Sequence, residues 1–530
     1  MTAHMPRTFA PSQLPVPPTL PRQRAKPYRT ARGAVASLTV ALAAPVAAGG
    51  ALSIAETPAG ALAAPLFALN ALWVGFGGAT ALAGAAAAWH GGRPSRPAPL
   101  GSRTAVLYLI CNEPPEGVAA AAGRLWRDLQ RTGLAHRTDI HVLSDSRAAA
   151  EPAERAALAP LLAQGALRYR RRSDNRWRKP GNIAEWAARH GKDYDQMAVL
   201  DADSRMSAAR LAGMIGRMER CPRTGLIQSG MRLLPPRSRF GRSLRLSSRL
   251  GGPVATAGLA AWTGPAGNYW GHNALIRMAA YRAVRRLPRL PGRAPLGGEI
   301  LSHDFVEAAL IRRAGWAVEV DPESRGSFED APQTLAAFHK RDRRWAQGNL
   351  QHARLLALPG LDPASRLHLA SGVMSYLAAP IWLALVLLFA TGLAPAPGLW
   401  ALAGVLGLLA VPKLAALALH LRRAKGARAR RIALRAAGAE AAVSTLIAPL
   451  LLVRQTGAVL AVLAGRDCGW KRAEGPSRLH LPQGAGEAGA GFALAGVAFA
   501  AGPAALPWLA PLALPLVMAP ALARWLEARA

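Results

Sequence analysis

Ala198-Val199-Leu200-Asp201-Ala202-Asp203 is an apolar run that closes on two carboxylates one residue apart. A strand turns residues i and i+2 to the same side, so a strand through this run aims Asp201 and Asp203 into one small volume. Two hard oxygen ligands there suit Mg²⁺ or Mn²⁺ bridging a diphosphate, whereas in many proteins such a pair only caps a turn or helix. Short apolar runs at Thr104–Ile110, 140–143, 197–200 and 225–229 alternate with helical stretches, and residues 93–366 read as one large α/β domain. In a parallel α/β sheet, ligands gather at the carboxyl ends of the strands. Asn112 and Glu113 follow the first run and Ser144-Asp145 ends the second, where a nucleotide base and ribose would sit; a strand-end Asp is also an ordinary turn former. Arg170-Arg171-Arg172, then Arg176, Arg178 and Lys179, lead into Gly181-Asn182. That cationic run before a glycine turn reads either as a phosphate cradle or as a solvated basic loop near an anionic membrane.

Outside this domain the chain turns apolar. Of 530 residues, 51% are hydrophobic and 18% charged, with a formal net charge of +35, which is too apolar for a typical soluble enzyme. The cations recur beside apolar spans, as at Arg22, Arg24, Lys26, Arg29 and Arg32, and again between Arg422 and Arg431, which is the positive-inside pattern. No module interleaves aromatics with these clusters, so no nucleic-acid partner is expected. Cys111, Cys221 and Cys468 lie too far apart for metal-type spacing or a disulfide framework.

The expected order is a disordered basic tail over 1–32, not a signal peptide, then a two-helix hairpin over 33–90, split into 33–54 and 61–89. The hairpin returns the chain to the side of its basic N-terminus, so the α/β domain over 93–366 is expected in the cytoplasm. Spans resume at 367–393 and 399–421. Residues 433–465 carry Arg435, Glu440 and Arg454 and read either as two passes or as one re-entrant or interfacial element. A last hairpin is expected over 491–526, with its break near residue 510.

Three later motifs complete the pattern: Tyr269-Trp270-Gly271-His272-Asn273-Ala274, Ser302-His303-Asp304-Phe305, and Arg341-Asp342-Arg343-Arg344-Trp345 running into Gln347-Gly348-Asn349-Leu350-Gln351-His352. Asp304 is the candidate base for a glycosyl transfer, and also a candidate N-cap for a helix over 305–314. Trp345 offers a flat face for a sugar ring and Arg344 a fork for phosphate; their alternative is a cation–π contact on a structural helix. In order, these pieces resemble the processive family 2 glycosyltransferases, whose pattern is Asp, Asp-x-Asp, a third Asp, then Gln-x-x-Arg-Trp. Within that family they are most similar to the glucosyltransferase H type, which makes the backbone of osmoregulated periplasmic glucans. The motifs that carry the resemblance run from about Thr104 to His352.

The resemblance implies a GT-A-type α/β glycosyltransferase domain inserted between bundles of transmembrane helices. It implies UDP-glucose as donor, Mg²⁺ (or Mn²⁺), inversion to a β-1,2 linkage, and passage of the growing glucan across the bacterial inner membrane. Asp304 would be catalytic, Asp203 and Asp201 would hold metal, and Asn112, Glu113, Asp145, Lys179, Asp201 and Arg344 the donor, with Asp145 at the uridine. Trp345 and His303 would meet the acceptor. Membrane lipid, acyl carrier protein and periplasmic glucan-processing proteins are the implied partners. Arg341 stands where cellulose synthases carry Gln, Pro180 where Ala is expected, and Tyr108-Leu109 where Met-Pro is expected. Residues 466–490 are too few for a PilZ-like domain, which counts against a cellulose synthase. A hyaluronan-type synthase, and a transporter or sensor that binds sugar nucleotide without turnover, are the competing readings.

Overall fold

Thr104–Ile110 (β1) is apolar at nearly every position and wholly buried, the signature of a parallel strand covered on both faces. Its side chains alternate between two cores: Ala105, Leu107 and Leu109 face one, and Val106, Tyr108 and Ile110 the other. In the computed structural model, which describes residues 27–90, 100–284, 287–467, 483–502 and 506–529, β1 sits inside a seven-stranded sheet. The other strands are β2 (Thr138–Ser144), β3 (Arg168–Arg171), β4 (Gln196–Asp201), β6 (Thr224–Ser229), β8 (Ala274–Arg277) and β9 (Ala317–Asp321). Their order is β3-β2-β1-β4-β8-β6-β9, with β8 antiparallel to both neighbours and the other pairings parallel. A second sheet joins β5 (Arg205–Met206), β10 (Ser327–Glu329) and β7 (Arg232–Leu233), and so pins the chain just after Asp203.

Helices α3 (Pro115–Arg131), α4 (Glu151–Ala163), α5 (Arg178–His190), α6 (Ala208–Arg220), α8 (Met278–Val284) and α9 (His303–Arg313) belong to the sheet domain. The apolar helices are α1 (Pro27–Ile54), α2 (Pro58–His90), α11 (Pro363–Ala390), α12 (Leu399–Arg423), α13 (Gly426–Leu463), α14 (Ala485–Ala501), α15 (Leu506–Val517) and α16 (Ala519–Glu527). Among the described residues, five helices are long and apolar enough to cross a membrane, or six if the bent pair α15–α16 counts as one span.

Two further helices tie domain and membrane bundle together. The 25-residue helix α7 (Arg239–Thr263) was not foreseen. It packs so tightly on α2 that a Cβ at Gly258 would come within 2.9 Å of the Thr80 carbonyl carbon, and one at Gly84 within 2.6 Å of the Gly258 nitrogen. Edge-on stacking of Phe76 on Trp262, with centroids 5.6 Å apart, continues the seam. The second is α10 (Leu335–Gln351), which carries the Arg-Trp motif.

Several boundaries differ from expectation. Residues 27–32 of the expected tail are already helical, and Arg32 donates to the Trp262 and Thr263 carbonyls at 3.2 Å each; residues 1–26 lie outside the described residues. Residues 433–463 belong to one continuous helix, which Arg454 does not interrupt because it finds Glu487 and the Leu335 carbonyl (3.2 Å). The last hairpin breaks at Gly502, where φ is +103°, and not near residue 510; its second arm bends by 62° between Val517 and Ala519. Gly181-Asn182 is the first turn of α5 and not a loop.

Substituting Gly258→Val is expected to lower the thermal midpoint of the detergent-solubilised chain by several degrees, since overpacking costs on the order of 1–3 kcal/mol. Gly438→Val, with nothing within 4 Å of its Cβ position, serves as the unchanged control. Equal midpoints for both variants would contradict the close α2–α7 approach.

Candidate functional site

The register of the three central strands sets the site. Leu109 pairs with Asp201 and Ile110 with Ser144, so the ends of β1, β2 and β4 emerge at one level. At the first end, Asn112 adopts φ +65°, its amide donates to Ser146 Oγ (2.6 Å), and its side-chain oxygen accepts from the Arg147 amide (3.0 Å). The Glu113 carboxylate accepts from the Cys111 amide. Both residues therefore shape the turn that walls this end of the site.

Asp145 lies at the second end, buried and held in a two-point ion pair by Arg172, whose Nη2 is 2.8 Å from Oδ2; Asn182 Nδ2 donates at 2.9 Å. Burial pushes its carboxyl above the ordinary value, and Arg172 offsets this only in part. The rest of the triple arginine is similarly committed: Arg170 meets Glu185 at 2.7 Å and Arg171 meets Glu151 at 2.6 Å. These three also line the cleft described next, so they hold carboxylates while bordering it. Arg176, Arg178 and Lys179 line a cleft of about 1140 Å³ between the start of α5 and residues 287–303. Trp177, 57% exposed, and Arg178 both hold left-handed backbone there, a strain tolerated mainly at functional positions.

At the third end, Lys179 Nζ bonds the Asp201 carboxylate and donates to the Gly271 carbonyl at 2.7 Å, an oxygen that also accepts from Tyr269 (2.8 Å). Burial alone would raise the Asp201 carboxyl, but Lys179, His272 and His303 outweigh it and hold it below its ordinary value. Asp203 is the contrast. Its side chain is exposed and has no hydrogen-bond or ion-pair partner among the described residues. Desolvation, with Asp201 and Glu329 nearby, pushes it to about 6. That surplus of negative charge fits a divalent cation. Among the described residues no cluster of three or more His, Cys, Asp or Glu side chains forms a complete cage. Two carboxylates that leave room for phosphate oxygens are what a Mg²⁺-type ion shared with a substrate needs.

Asp304 faces Gly271, where a Cβ would stand in ordinary contact 3.5 Å from Oδ2; it is the φ of +89° that favours glycine there. Its helix starts at His303 with Ser302 in the N-cap position. The N-cap expectation for Asp304 is therefore corrected: it sits in the first turn. Burial raises its carboxyl although His303 and Lys179 pull it down. His303 lies 3.4 Å from Glu307, which outweighs the effect of burial and raises the imidazole.

The Arg-Trp helix α10 serves this site in a way the motif did not reveal. Gln351 accepts from the Leu301 amide (2.9 Å) and donates to the Pro295 (3.1 Å) and Glu299 (3.2 Å) carbonyls, and His352 Nε2 lies 3.0 Å from the Ser302 carbonyl. Gly348 packs against Ser302; a Cβ there would fall 2.7 Å from the Ser302 amide nitrogen. Gln347, Gly348, Gln351 and His352 thus fix the loop that delivers Asp304. Trp345 is exposed, and Arg341 stacks over its ring, 4.4 Å from the centroid. Arg341 also bears electrostatically on Asp203. Asp342 is buried and accepts from Tyr376 of α11 at 3.0 Å, anchoring α10 to the membrane bundle.

Gln351→Ala is expected to raise amide hydrogen exchange at residues 296–303 at least tenfold by mass spectrometry, leaving β1 unchanged. Unaltered exchange in that loop would show that Gln351 does not hold it.

The family model described as glycosyl transferase family group 2 matches residues 197–418. A glucans biosynthesis glucosyltransferase H from Bradyrhizobium diazoefficiens is 39% identical over 509 residues, covering 86% of this chain and 67% of that protein. One from Cereibacter sphaeroides is 38% identical over 503 residues, covering 86% and 82%. Some relatives are longer, and the chain spans only 61% of the protein of that name from Vibrio cholerae. Among solved structures, a mannosyltransferase from Pyrobaculum calidifontis in complex with GDP-Man and Mn²⁺ aligns with a TM-score of 0.45 at 18% identity, over 76% of this chain and 98% of that one. With its parallel-rich sheet, its site at the strand ends and its long apolar helices, the chain belongs to the glucans biosynthesis glucosyltransferase H family and is a hexosyltransferase of GT-A type.

Proposed function

We propose that this chain transfers glucose from UDP-glucose to a growing β-1,2-linked glucan, processively, and passes the product across the bacterial inner membrane from a cytoplasmic catalytic domain. The observation that carries this reading is the gathering of an uncompensated carboxylate, Asp203, with Lys179-bound Asp201 and with Asp304, whose carboxyl also feels Lys179, beside a basic cleft that Lys179 and His303 line. The names of the chain's relatives support glucan synthesis, and the basic segments flanking the apolar helices support the orientation.

In this reading Asp203, with Asp201, holds a Mg²⁺ or Mn²⁺ ion, which when bound neutralises the charge that develops on the departing diphosphate. Asp145 keeps the uridine end through the fixed Arg172 pair, and Asn112 and Glu113 wall that end. Lys179 and Arg344 attract the diphosphate. Asp304 takes the proton from the acceptor hydroxyl as its oxygen bonds to the anomeric carbon; the bond from that carbon to the diphosphate oxygen breaks, and UDP leaves with the electron pair. Attack opposite the leaving group inverts the centre and gives the β linkage. Trp345 and His303 seat the acceptor sugar. Since burial raises Asp304, the carboxylate form that accepts the proton is also the more basic for it.

Purified full-length chain in proteoliposomes with UDP-glucose is expected to yield β-1,2-linked glucan only with Mg²⁺ or Mn²⁺, read by methylation linkage analysis. A β-1,4 product, or turnover of another UDP-sugar alone, would overturn the substrate assignment. Asp304→Asn should lower kcat by at least a thousandfold with UDP affinity within about threefold of wild type, because the base acts in transfer and not in capture. Normal glucan output from that variant would instead favour a non-catalytic sensor. Protonation disables Asp304, so kcat should fall toward acid with a midpoint above the ordinary Asp value of about 3.9. A pH-independent kcat down to that value would contradict a base of raised pKa.

A further inference from the structure

Helix α9 buries a carboxylate that neither takes the acceptor's proton nor meets the donor. Glu307 stands one helical turn after His303, is 5% exposed, and lies 3.4 Å from His303 Nδ1. Among the described residues His303 is the group that pairs with it. A buried carboxylate without a counter-charge is costly, so this pair is stable with the positive charge on the ring. Burial works against a charge on the imidazole, but Glu307, helped by Asp304, outweighs it.

Other charged and titratable groups surround the ring. Lys179 at the start of α5 opposes its charge, and Asp201 at the end of β4 feels it. The loop before β8 brings Tyr269, whose phenol is pushed well above its ordinary value by burial and by Glu307, so it stays protonated. Arg178 and Glu299, 3.7 Å apart, line the same cleft as His303. The two ring nitrogens differ in what they meet. Nδ1 is buried against Glu307, while the ring borders the cleft that Lys179 also lines. In a neutral ring the charge of Glu307 keeps the remaining proton on Nδ1, which leaves Nε2 a bare acceptor. The imidazolium alone carries a donor on Nε2 as well.

We propose that Glu307 is a positioning residue of the transfer: by holding His303 as an imidazolium, it sets an Nε2–H donor at the cleft, beside Asp304, for an oxygen of the acceptor sugar. The inference rests on the reading of Asp304 as the base. The ring keeps its proton throughout, and Asp304 alone takes that of the acceptor hydroxyl. The positive ring also serves the base. Burial raises the Asp304 carboxyl, and His303 is foremost among the groups that bring it back down, which keeps it in the carboxylate form that accepts a proton. Raising the pH until the ring titrates removes the donor and leaves Asp304 ionised. Turnover therefore falls on the alkaline side for a reason distinct from the acid limb.

Diethyl pyrocarbonate modifies the neutral imidazole and spares the imidazolium. The rate of His303 modification against pH, read by peptide mass spectrometry on the full-length chain in detergent, therefore reports the charge on the ring with no donor present. Its midpoint is expected above the ordinary His value of about 6.5 in the wild-type chain, and about one unit or more lower in Glu307→Gln. A wild-type midpoint at or below the ordinary value, an unmoved midpoint in the variant, or protection of the ring at every pH would overturn the pairing. The wild-type midpoint decides this even where the variant does not fold. In the wild-type chain kcat, followed as UDP release, should fall about tenfold or more toward alkaline pH, with its midpoint at the modification midpoint. An alkaline limb centred elsewhere, or none, would overturn the role in transfer. A chain idle with UDP-glucose that still shows the expected modification midpoints would count against the donor assignment and in favour of the pairing.

Discussion

Two carboxylates leave the tip of one buried strand, and the site is organised around their charge. Lys179 compensates Asp201 through a direct contact, while Asp203 keeps its negative charge only against resistance from its neighbours. Fixing Lys179 takes a helix start with left-handed backbone at Trp177 and Arg178, a second anchor on the Gly271 carbonyl, and a Tyr269 hydroxyl to hold that carbonyl. Asp304 faces the same glycine, so the Lys179 anchor and the candidate base adjoin one backbone position. The proposed metal-bound diphosphate removes the remaining imbalance at Asp203.

The membrane helices contribute to this geometry as well as holding the domain in place. One face of α10 grips residues 295–302 through Gln347, Gln351 and His352, and another joins α11 through Asp342 and Tyr376. A shift of α11 or α13 would therefore reach the loop that carries Asp304. In a processive synthase, a product chain moving past those helices and the position of the base would be mechanically linked through α10.

The sheet was readable because its strands are almost purely apolar and end on polar pairs: Thr104–Ile110 and the run into Asp201 announce both their burial and their direction. The carboxylates were readable by type and spacing. Their partners were not, since nothing local marks Arg172, among six cations in the run 170–179, as the one that locks Asp145. Arg341 was read as a departure from a family pattern, whereas in the structure it stacks on Trp345 and bears on Asp203. The Gln-Gly-Asn-Leu-Gln-His stretch was visible as a motif, but its grip on Ser302 depends on a fold in which residues some fifty positions apart meet. Residues 433–465 were left open between two passes and one interfacial or re-entrant element because Arg435, Glu440 and Arg454 break the apolar run, whereas the structure draws most of them into one helix, Gly426–Leu463.

The central claim is that Asp203 and a divalent cation together hold a nucleoside diphosphate, and Mn²⁺ binding followed by electron paramagnetic resonance, with and without UDP, tests it most directly. Coupled binding is reciprocal, so each ligand must tighten the other by the same factor. The account predicts weak Mn²⁺ binding alone, at least tenfold tighter binding with UDP, and loss of that coupling in Asp203→Ala. Equal UDP affinity with and without Mn²⁺ in the wild-type chain would contradict it.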